Sequence, residues 1–123
     1  MPQETGRKIL RDIILAFARV YVLHHAAEDR IFGLEMMDEL RRHGYDISPG
    51  TLYPLLHALE EGGVLTSEQE FIEGKGRRYY RSTKAGNALL VSLREKIREL
   101  VDGVAPANAK RPPPRARNRA SRS

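Results

Sequence analysis

Basic side chains are concentrated in the segment between Phe71 and Lys84. The five basic residues of this segment are Lys75, Arg77, Arg78, Arg81 and Lys84, and its one acidic residue is Glu73. Cations at this density can neutralise nucleic-acid phosphates, and the release of counterions then supplies most of the sequence-independent affinity. A merely solvated hairpin would have the same composition. The charge cluster therefore predicts a phosphate-binding surface only in combination with a neighbouring element that reads DNA.

The net charge of +5 is set by the C-terminal end of the chain. Residues 104–123 hold six basic and no acidic residues, whereas residues 1–103 hold 15 basic and 16 acidic residues. The proline- and arginine-rich composition of 104–123 predicts a disordered basic tail, and 1–103 has the length of one folded domain. Such a tail could hold nucleic acid without sequence preference or only keep the protein in solution.

The residues from Ser48 onwards have the pattern of a capped helix, predicted over 48–62. Ser48 suits the N-cap and Pro49 suits the first helical position. Leucines recur at helical spacing at Leu52, Leu55, Leu56 and Leu59. The pair Gly62-Gly63 predicts the end of the helix.

A shorter helix is predicted before this one, beginning at Phe32-Gly33 and ending at Gly44. The connection over residues 44–47 is tight, which is typical of a helix-turn-helix. After Gly63 in the chain, strand-forming residues over 64–72 and 78–81 flank a turn predicted at Gly74-Lys75-Gly76. The expected fold is mainly α with a small β-hairpin, a winged helix-turn-helix with N- and C-terminal dimerisation helices.

The two outer helices carry more apolar surface than a small domain can cover. The first is predicted over 7–27 behind a frayed lead of residues 1–6, and the second is capped by Thr83 and has a near-heptad seam that reaches Val104. We expect both to pack in a homodimer, with packing against each other inside one subunit as the alternative. The candidate dimerisation residues are Ile13, Phe17, Val20, Leu90, Leu93, Ile97 and Leu100.

Three motifs resemble the PadR family of bacterial transcriptional regulators: GTLYPLL at 50–56, LEEGG at 59–63 and GRRYYRSTKAG at 76–86. Phe32-Gly33-Leu34 and Ile47-Ser48 also match. The resemblance implies a repressor that binds a roughly palindromic operator as a homodimer, with a single C-terminal dimerisation helix. It also implies that a small aromatic or drug-like effector at the dimer interface can release the DNA. Ser82 departs from the family pattern, which usually has an apolar residue there.

Helix 48–62 is predicted to lie in a major groove, with the hairpin along the flanking backbone. The candidate DNA-binding residues are Ser48, Gly50, Thr51, Tyr53, Pro54, His57, Lys75, Arg77, Arg78 and Tyr79. For Ser48 the alternative role is a helix cap, for Tyr53 a partly buried ring, and for His57 an uninvolved surface side chain. Tyr79 and Tyr80 alternate along the strand, so one ring is expected in the core and the other at DNA.

Several other classes of function are not supported. The chain has no cysteine, so disulfide and thiolate chemistry are excluded. No signal peptide or membrane span is expected, and the predicted location is cytoplasmic. No catalytic constellation, cofactor or metal site is predicted, because His24 and His25 are adjacent and point about 100° apart on a helix. The remaining alternatives are a protein–protein interaction module and a non-specific nucleic-acid binder acting through the tail.

Overall fold

The computed structural model describes residues 2–107, and the chain is mainly helical with a small antiparallel sheet, as predicted. In chain order the elements are α1 (Pro2–Glu28), β1 (Ile31–Phe32), α2 (Gly33–Arg42), α3 (Pro49–Glu61), β2 (Leu65–Ile72), β3 (Lys75–Ser82) and α4 (Lys84–Val104). Among the described helices, none has the combination of length and apolar character that crossing a bilayer requires. The predicted tail from residue 108 onwards lies outside the described residues.

The sheet has three strands in the order β1-β3-β2, so the predicted hairpin was incomplete. β1 pairs antiparallel with β3, with Ile31 opposite Tyr80 and Phe32 opposite Tyr79. A two-residue strand is too short for a period-of-two pattern, which is why the sequence did not reveal it. β1 fixes the start of α2 against the middle of β3.

The hairpin turn is formed by Glu73 and Gly74, and the predicted turn over 74–76 was wrong. Both residues have positive φ, at 52° and 79°, and Ile72 already pairs with Lys75. Two-residue hairpin loops favour positive φ at both positions because that backbone twist matches the twist of the strands. β3 therefore begins at Lys75, several residues earlier than expected.

α1 begins at Pro2, so the expectation of a frayed lead was wrong for residues 2–6. The C-terminal half of the helix is anchored in the core by Ala18, Val22 and Leu23, each at most 1% exposed. The N-terminal half instead leaves apolar side chains in solvent, including Ile13, which is 43% exposed. Only half of α1 is covered within one chain.

The core contains side chains from all four described helices and all three described strands. Its most completely buried side chains are Val22, Leu23, Met36, Leu40, Leu52, Leu56 and Leu65. Burial of each such side chain contributes about 1.5–3 kcal/mol relative to its exposure to water. These residues hold α3 by one face only, and its other face stays available.

The start of α4 is fastened to the end of α3 through Thr83, which caps the helix as predicted. The Thr83 hydroxyl accepts a hydrogen bond from the Gly86 N–H (3.0 Å) and donates one to the Gly63 carbonyl (2.7 Å). The Thr83 N–H also donates to the Val64 carbonyl. Gly86 is buried in this corner, which leaves no room for a side chain.

Within the described residues, α4 crosses the boundary between two compact units, residues 2–93 and 94–107. In the first unit Leu90 is 3% exposed and belongs to the subunit core, which corrects its assignment to an open dimerisation seam. In the second unit Leu100 and Val104 are 51% and 69% exposed. The helix includes Val104, which the predicted domain boundary gave to the tail.

Candidate nucleic-acid interface

The turn between α2 and α3 sets the position of α3. Gly44, with φ of 90°, follows the C-cap of α2, and its N–H donates to the Arg41 carbonyl (2.9 Å). The Tyr45 N–H donates to the Leu40 carbonyl (2.8 Å), and Ile47 is buried. A left-handed residue at this position closes the helix and reverses the chain. The connection is thus fixed at both ends, as a helix-turn-helix requires.

α3 has one buried and one exposed face. The buried face consists of Leu52, Leu55 and Leu56. The exposed side carries the residues predicted to meet DNA, namely Ser48, Gly50, Tyr53, Pro54 and His57, with Thr51 half-buried beside them. The fold therefore brings all six helical candidates to one solvent-facing surface. Pro54, whose missing N–H removes one intrahelical hydrogen bond, lies on this exposed side.

Ser48 occupies the N-cap position of α3, but its side chain does not cap a backbone N–H. Its hydroxyl instead donates to the Thr51 hydroxyl oxygen over a long 3.4 Å. The first turn of a helix leaves N–H groups without intrahelical partners, and these groups suit an anion. Ser48 is consequently part of an exposed polar helix start rather than a closed cap.

Tyr53 joins α3 to the first residue of α2. A methyl group built on Gly33 would collide with the Tyr53 hydroxyl and would lie 2.6 Å from two of its ring carbons. The Tyr53 side chain is nevertheless 43% exposed. Both roles considered for this residue are therefore compatible, because the ring packs on α2 while part of it faces solvent.

The wing, which is the hairpin of β2 and β3 over residues 65–82, carries cations on both of its faces. Arg78 shares a face with Tyr80 and donates hydrogen bonds to Ser67 Oγ (3.1 Å) and Gln69 Oε1 (3.0 Å). The Ser67 hydroxyl in turn donates to Glu60 of α3 (2.7 Å). Arg77 points to the opposite face. The two arginines can therefore not bind the same phosphate side by side.

The Arg77 face of the wing is built on two cation–π contacts. The Arg77 guanidinium lies 4.5 Å from the centre of the Phe32 ring, and the Arg30 guanidinium lies 3.9 Å from that of Tyr79. Tyr79 is only 9% exposed and Tyr80 only 6%. The expectation that one of these rings would face DNA was wrong. Tyr80 lies in the core, and β1 and Arg30 cover the side of the sheet on which Tyr79 lies.

Acidic residues of β2 offset much of the wing's positive charge. The two strands and their turn hold four basic residues but also Glu68, Glu70 and Glu73. Glu70 lies opposite Arg77 and accepts a hydrogen bond from Arg30. That contact lowers the pKa of Glu70 and raises that of Arg30. The excess of basic residues over 71–84 is smaller in the folded wing, because β2 pairs with β3 and places Glu68 and Glu70 beside the basic side chains.

Replacement of Glu70 by glutamine should reduce the acid sensitivity of the fold. Because the folded-state pKa of Glu70 is lowered below 4.5, its contribution to stability is complete above that pH and is lost as the pH falls through the folded value. Denaturant unfolding of both proteins at about pH 6 and about pH 3 measures this difference. We expect the wild type to lose more stability between them than Glu70→Gln. Equal losses, or the same effect from Glu68→Gln, would contradict the assignment.

Arg30 is the residue of this surface that the sequence did not single out. It lies in the connection before β1, and its guanidinium covers Tyr79 while it pairs with Glu70. A charged residue in a connection gives no periodic signal. Only the pairing of β1 with β3 shows that it belongs to the wing.

The sequence that forms this exposed helix and hairpin matches a family of known regulators. Residues 22–92 match the Transcriptional regulator PadR-like family, which is more than half of the chain. The chain belongs to the PadR-like family. As a member it is a transcriptional regulator, and PadR regulators bind DNA and typically dimerise. The resemblance identified from the three motifs is confirmed.

Two curated relatives and one solved structure illustrate the match. The chain is 48% identical over 91 residues to transcriptional regulator Rv3488 of Mycobacterium tuberculosis, covering 74% of this chain and 85% of the relative. It is 33% identical to transcriptional activator GvpE of Haloferax mediterranei, covering 61% of this chain but only 38% of that protein. The crystal structure of a PadR family regulator from Eggerthella lenta superposes with a TM-score of 0.72 at 29% identity, covering 83% and 90% of the two chains.

Proposed function

We propose that this PadR-family regulator is a cytoplasmic homodimer that represses transcription by binding a sequence-specific operator, and that α3 enters the major groove. The observation that carries the proposal is the division of α3 into a leucine face inside the core and a polar face in solvent. A major groove admits an α-helix and presents distinguishable base edges. Only the exposed face, with Thr51 and His57, is available to read them.

The wing is proposed to bind the phosphate backbone beside this groove. Lys75, Arg77 and Arg78 are exposed, and Arg78 lies on the face that is tied to α3 through Ser67 and Glu60. Phosphate contacts of this kind set the register of a protein on DNA without specifying sequence. Arg78 is therefore expected to contact the strand nearest α3, and Arg77 to contact DNA only where the backbone curves around the wing.

The proposed dimer interface consists of the exposed apolar surfaces of α1 and α4. Ile13 of α1 and Leu100 of α4 are 43% and 51% exposed in the single chain. Phe17, Val20, Leu93 and Ile97 are half-buried. Exposed apolar side chains that recur along a helix are candidates for burial against a partner. Two symmetry-related copies of α3 would then meet half-sites about one helical turn of DNA apart.

A small aromatic or drug-like effector is the proposed signal that releases the operator. A cavity of about 600 Å³ lies between α1 and the α2–α3 turn and is lined by Arg7, Leu10, Arg11, Ile14, Leu15, residues 44–48 and Thr51. Its volume is within the range of small-molecule sites. A ligand there would touch both a proposed dimer helix and the turn that positions α3. Release requires that the ligand favour the non-binding geometry of the dimer.

The deciding experiment compares DNA binding by the purified chain on its own upstream promoter and on scrambled DNA of equal length, across a salt series. A preference for the promoter that survives deletion of residues 108–123 supports the proposal. Equal affinity for both DNAs that disappears with the deletion indicates non-specific binding through the tail. Weak binding that salt does not change indicates a protein–protein module. Transcription in vitro from the same promoter distinguishes repression from activation, which is the role in the name of the relative GvpE.

Replacement of wing arginines should weaken binding to all DNA sequences alike. Each of Arg77→Ala and Arg78→Ala removes one proposed phosphate contact, so the slope of log affinity against log salt should fall by about 1. Thermal unfolding checks that loss of the Arg77–Phe32 stacking has not unfolded the chain. Arg98→Ala, an exposed arginine of α4, is the matched control and should leave the slope unchanged. In contrast, His57→Ala should change the preference between promoter and scrambled DNA, and a uniform loss from both kinds of variant would refute this division of roles.

A further inference from the structure

Two histidines and a glutamate come together where the end of α1 meets α2. His25 lies in the last turn of α1, Glu39 lies in the C-terminal half of α2, and His43 is the residue that caps α2. One ligand atom from each of the three lies within 4.8 Å of those of the other two. Sequence spacing does not reveal this group, because its members come from two helices.

The His25 side chain holds a polar atom that the described part of the chain leaves unsatisfied. Its Nε2 atom is buried and has no hydrogen-bond partner among the described residues. The nearest carboxylate oxygen, Glu39 Oε1, is 3.8 Å away, which is too far for a hydrogen bond. An unsatisfied buried nitrogen costs about 1–3 kcal/mol and requires an explanation.

Glu39 has one oxygen engaged and the other directed to this nitrogen. Its Oε2 accepts a hydrogen bond from Arg42, whereas Oε1 faces His25. Hydrogen bonding of the second oxygen is the usual support for a carboxylate that binds a metal. Arg42 thereby orients the carboxylate toward His25.

His43 is held in place by stacking. Its ring lies parallel to Tyr21 of α1, with centroids 4.2 Å apart and 19° between the planes, and its centroid is 6.2 Å from that of His25. His43 is exposed, and the stack with Tyr21 favours this orientation of its ring. Two nitrogen ligands at the usual Zn–N distance of about 2.1 Å are at most about 4.2 Å apart. Small side-chain rotations would therefore bring all three ligand atoms to one ion.

We propose that His25, Glu39 and His43 bind one divalent transition-metal ion of the zinc class. Two imidazoles and one carboxylate are ligands that Zn²⁺ accepts, and three protein ligands leave a fourth position for water or a further group. The ion would satisfy the buried His25 nitrogen and join α1 to α2 directly. The binding site itself does not rest on the proposed function in DNA binding.

A second group of side chains that could hold a metal ion, His24, His25 and Glu28, shares His25 and competes with this assignment. All three of its members lie on α1, where the Glu28 side chain is 66% exposed and is already 3.5 Å from His24. Glu39, in contrast, is 30% exposed and is fixed by Arg42. Each group has one exposed member, His43 in the first and Glu28 in the second. The group that spans two helices is better preorganised, because Arg42 orients Glu39 and Tyr21 stacks on His43, and preorganised ligands bind a metal more tightly.

The test is titration of the full, untagged chain with Zn²⁺ by calorimetry after removal of metal by a chelator. We expect one ion per chain. Glu39→Gln and His43→Ala each alter a proposed ligand, so each should lower the affinity by at least the roughly tenfold to hundredfold that follows loss of a residue supporting a ligand. Co²⁺ in place of Zn²⁺ should give visible absorption bands that both variants lose. Thermal unfolding in the presence of chelator verifies that each variant is folded.

His24→Ala and His57→Ala are the matched controls, because they complete the set of four histidines in the chain. Both should retain full affinity. Absence of Zn²⁺ binding by the wild type would overturn the proposal, and so would loss of binding in His24→Ala with retention in His43→Ala. These outcomes are independent of DNA binding, so failure of the metal site and failure of the proposed regulator function can be told apart.

Discussion

Replacement of Gly86 by alanine should strongly destabilise the protein. The new Cβ would overlap the Val64 carbonyl oxygen and would lie 2.5 Å from Ser82 Oγ and 3.1 Å from the Val64 carbonyl carbon. The Val64 carbonyl cannot move away, because it accepts the Thr83 N–H that fastens α4. Overpacking typically costs about 1–3 kcal/mol, and a clash with fixed backbone belongs at or above the upper end of that range.

Chemical denaturation of Gly86→Ala beside Gly103→Ala tests this expectation. Gly103 is in the same helix, and a Cβ there would meet nothing within 4 Å. Alanine at such a site should stabilise the chain by up to about 1 kcal/mol, since it reduces the conformational entropy of the unfolded chain and has a higher helix propensity than glycine. Replacement of glycine by alanine should thus lower the free energy of unfolding at position 86 and raise it at position 103. A Gly86→Ala protein as stable as the wild type would show that the corner between α3 and α4 is not tightly packed.

Replacement of Leu100 by aspartate should convert the proposed dimer into a monomer and abolish tight operator binding. Leu100 is 51% exposed in the single chain, so the change should leave the fold intact. At a dimer interface the same carboxylate would be buried without a partner, which is strongly unfavourable. A monomer has one α3 to bind one half-site, and loss of the second half-site should reduce affinity by about 10²–10⁴-fold.

Arg98→Glu is the control for the introduced charge. Arg98 is exposed and lies about 200° around α4 from Leu100. Its change in charge is larger than that at Leu100, so charge repulsion alone would weaken DNA binding more in this variant. Analytical ultracentrifugation and promoter binding should show a monomer with weak binding for Leu100→Asp and a normal dimer for Arg98→Glu. A Leu100→Asp protein that remains dimeric would place the interface elsewhere.

The helices of the fold could be predicted because their signals are local. Ser48 and Pro49 mark the start of α3, Gly62-Gly63 marks its end, and Thr83 caps α4 as expected. Caps and stops are determined by a few adjacent residues, so no tertiary information is needed. The strands were harder, because β1 is recognisable only by its pairing with β3.

The parts of the candidate interface that the sequence missed all depend on long-range pairing. Tyr79 is covered because Arg30, almost fifty residues earlier, stacks on it, and the positive charge near Arg77 is offset because Glu70 lies opposite. Leu90 has the spacing of a dimer seam but is buried in its own subunit. Periodicity shows which side of an element is apolar, but it does not show what covers that side.

The separation of the two faces of α3 has a consequence for how such a regulator can diverge. The leucines that maintain stability are distinct from the exposed residues proposed to read bases, so His57 can be exchanged with little thermodynamic cost. Tyr53 is the exception, because its ring packs on the backbone of Gly33 while its exposed part lies on the surface proposed to face DNA. If the proposed DNA-binding roles hold, we expect operator preference to change more readily through His57 than through Tyr53, because a change at Tyr53 requires repacking of α2.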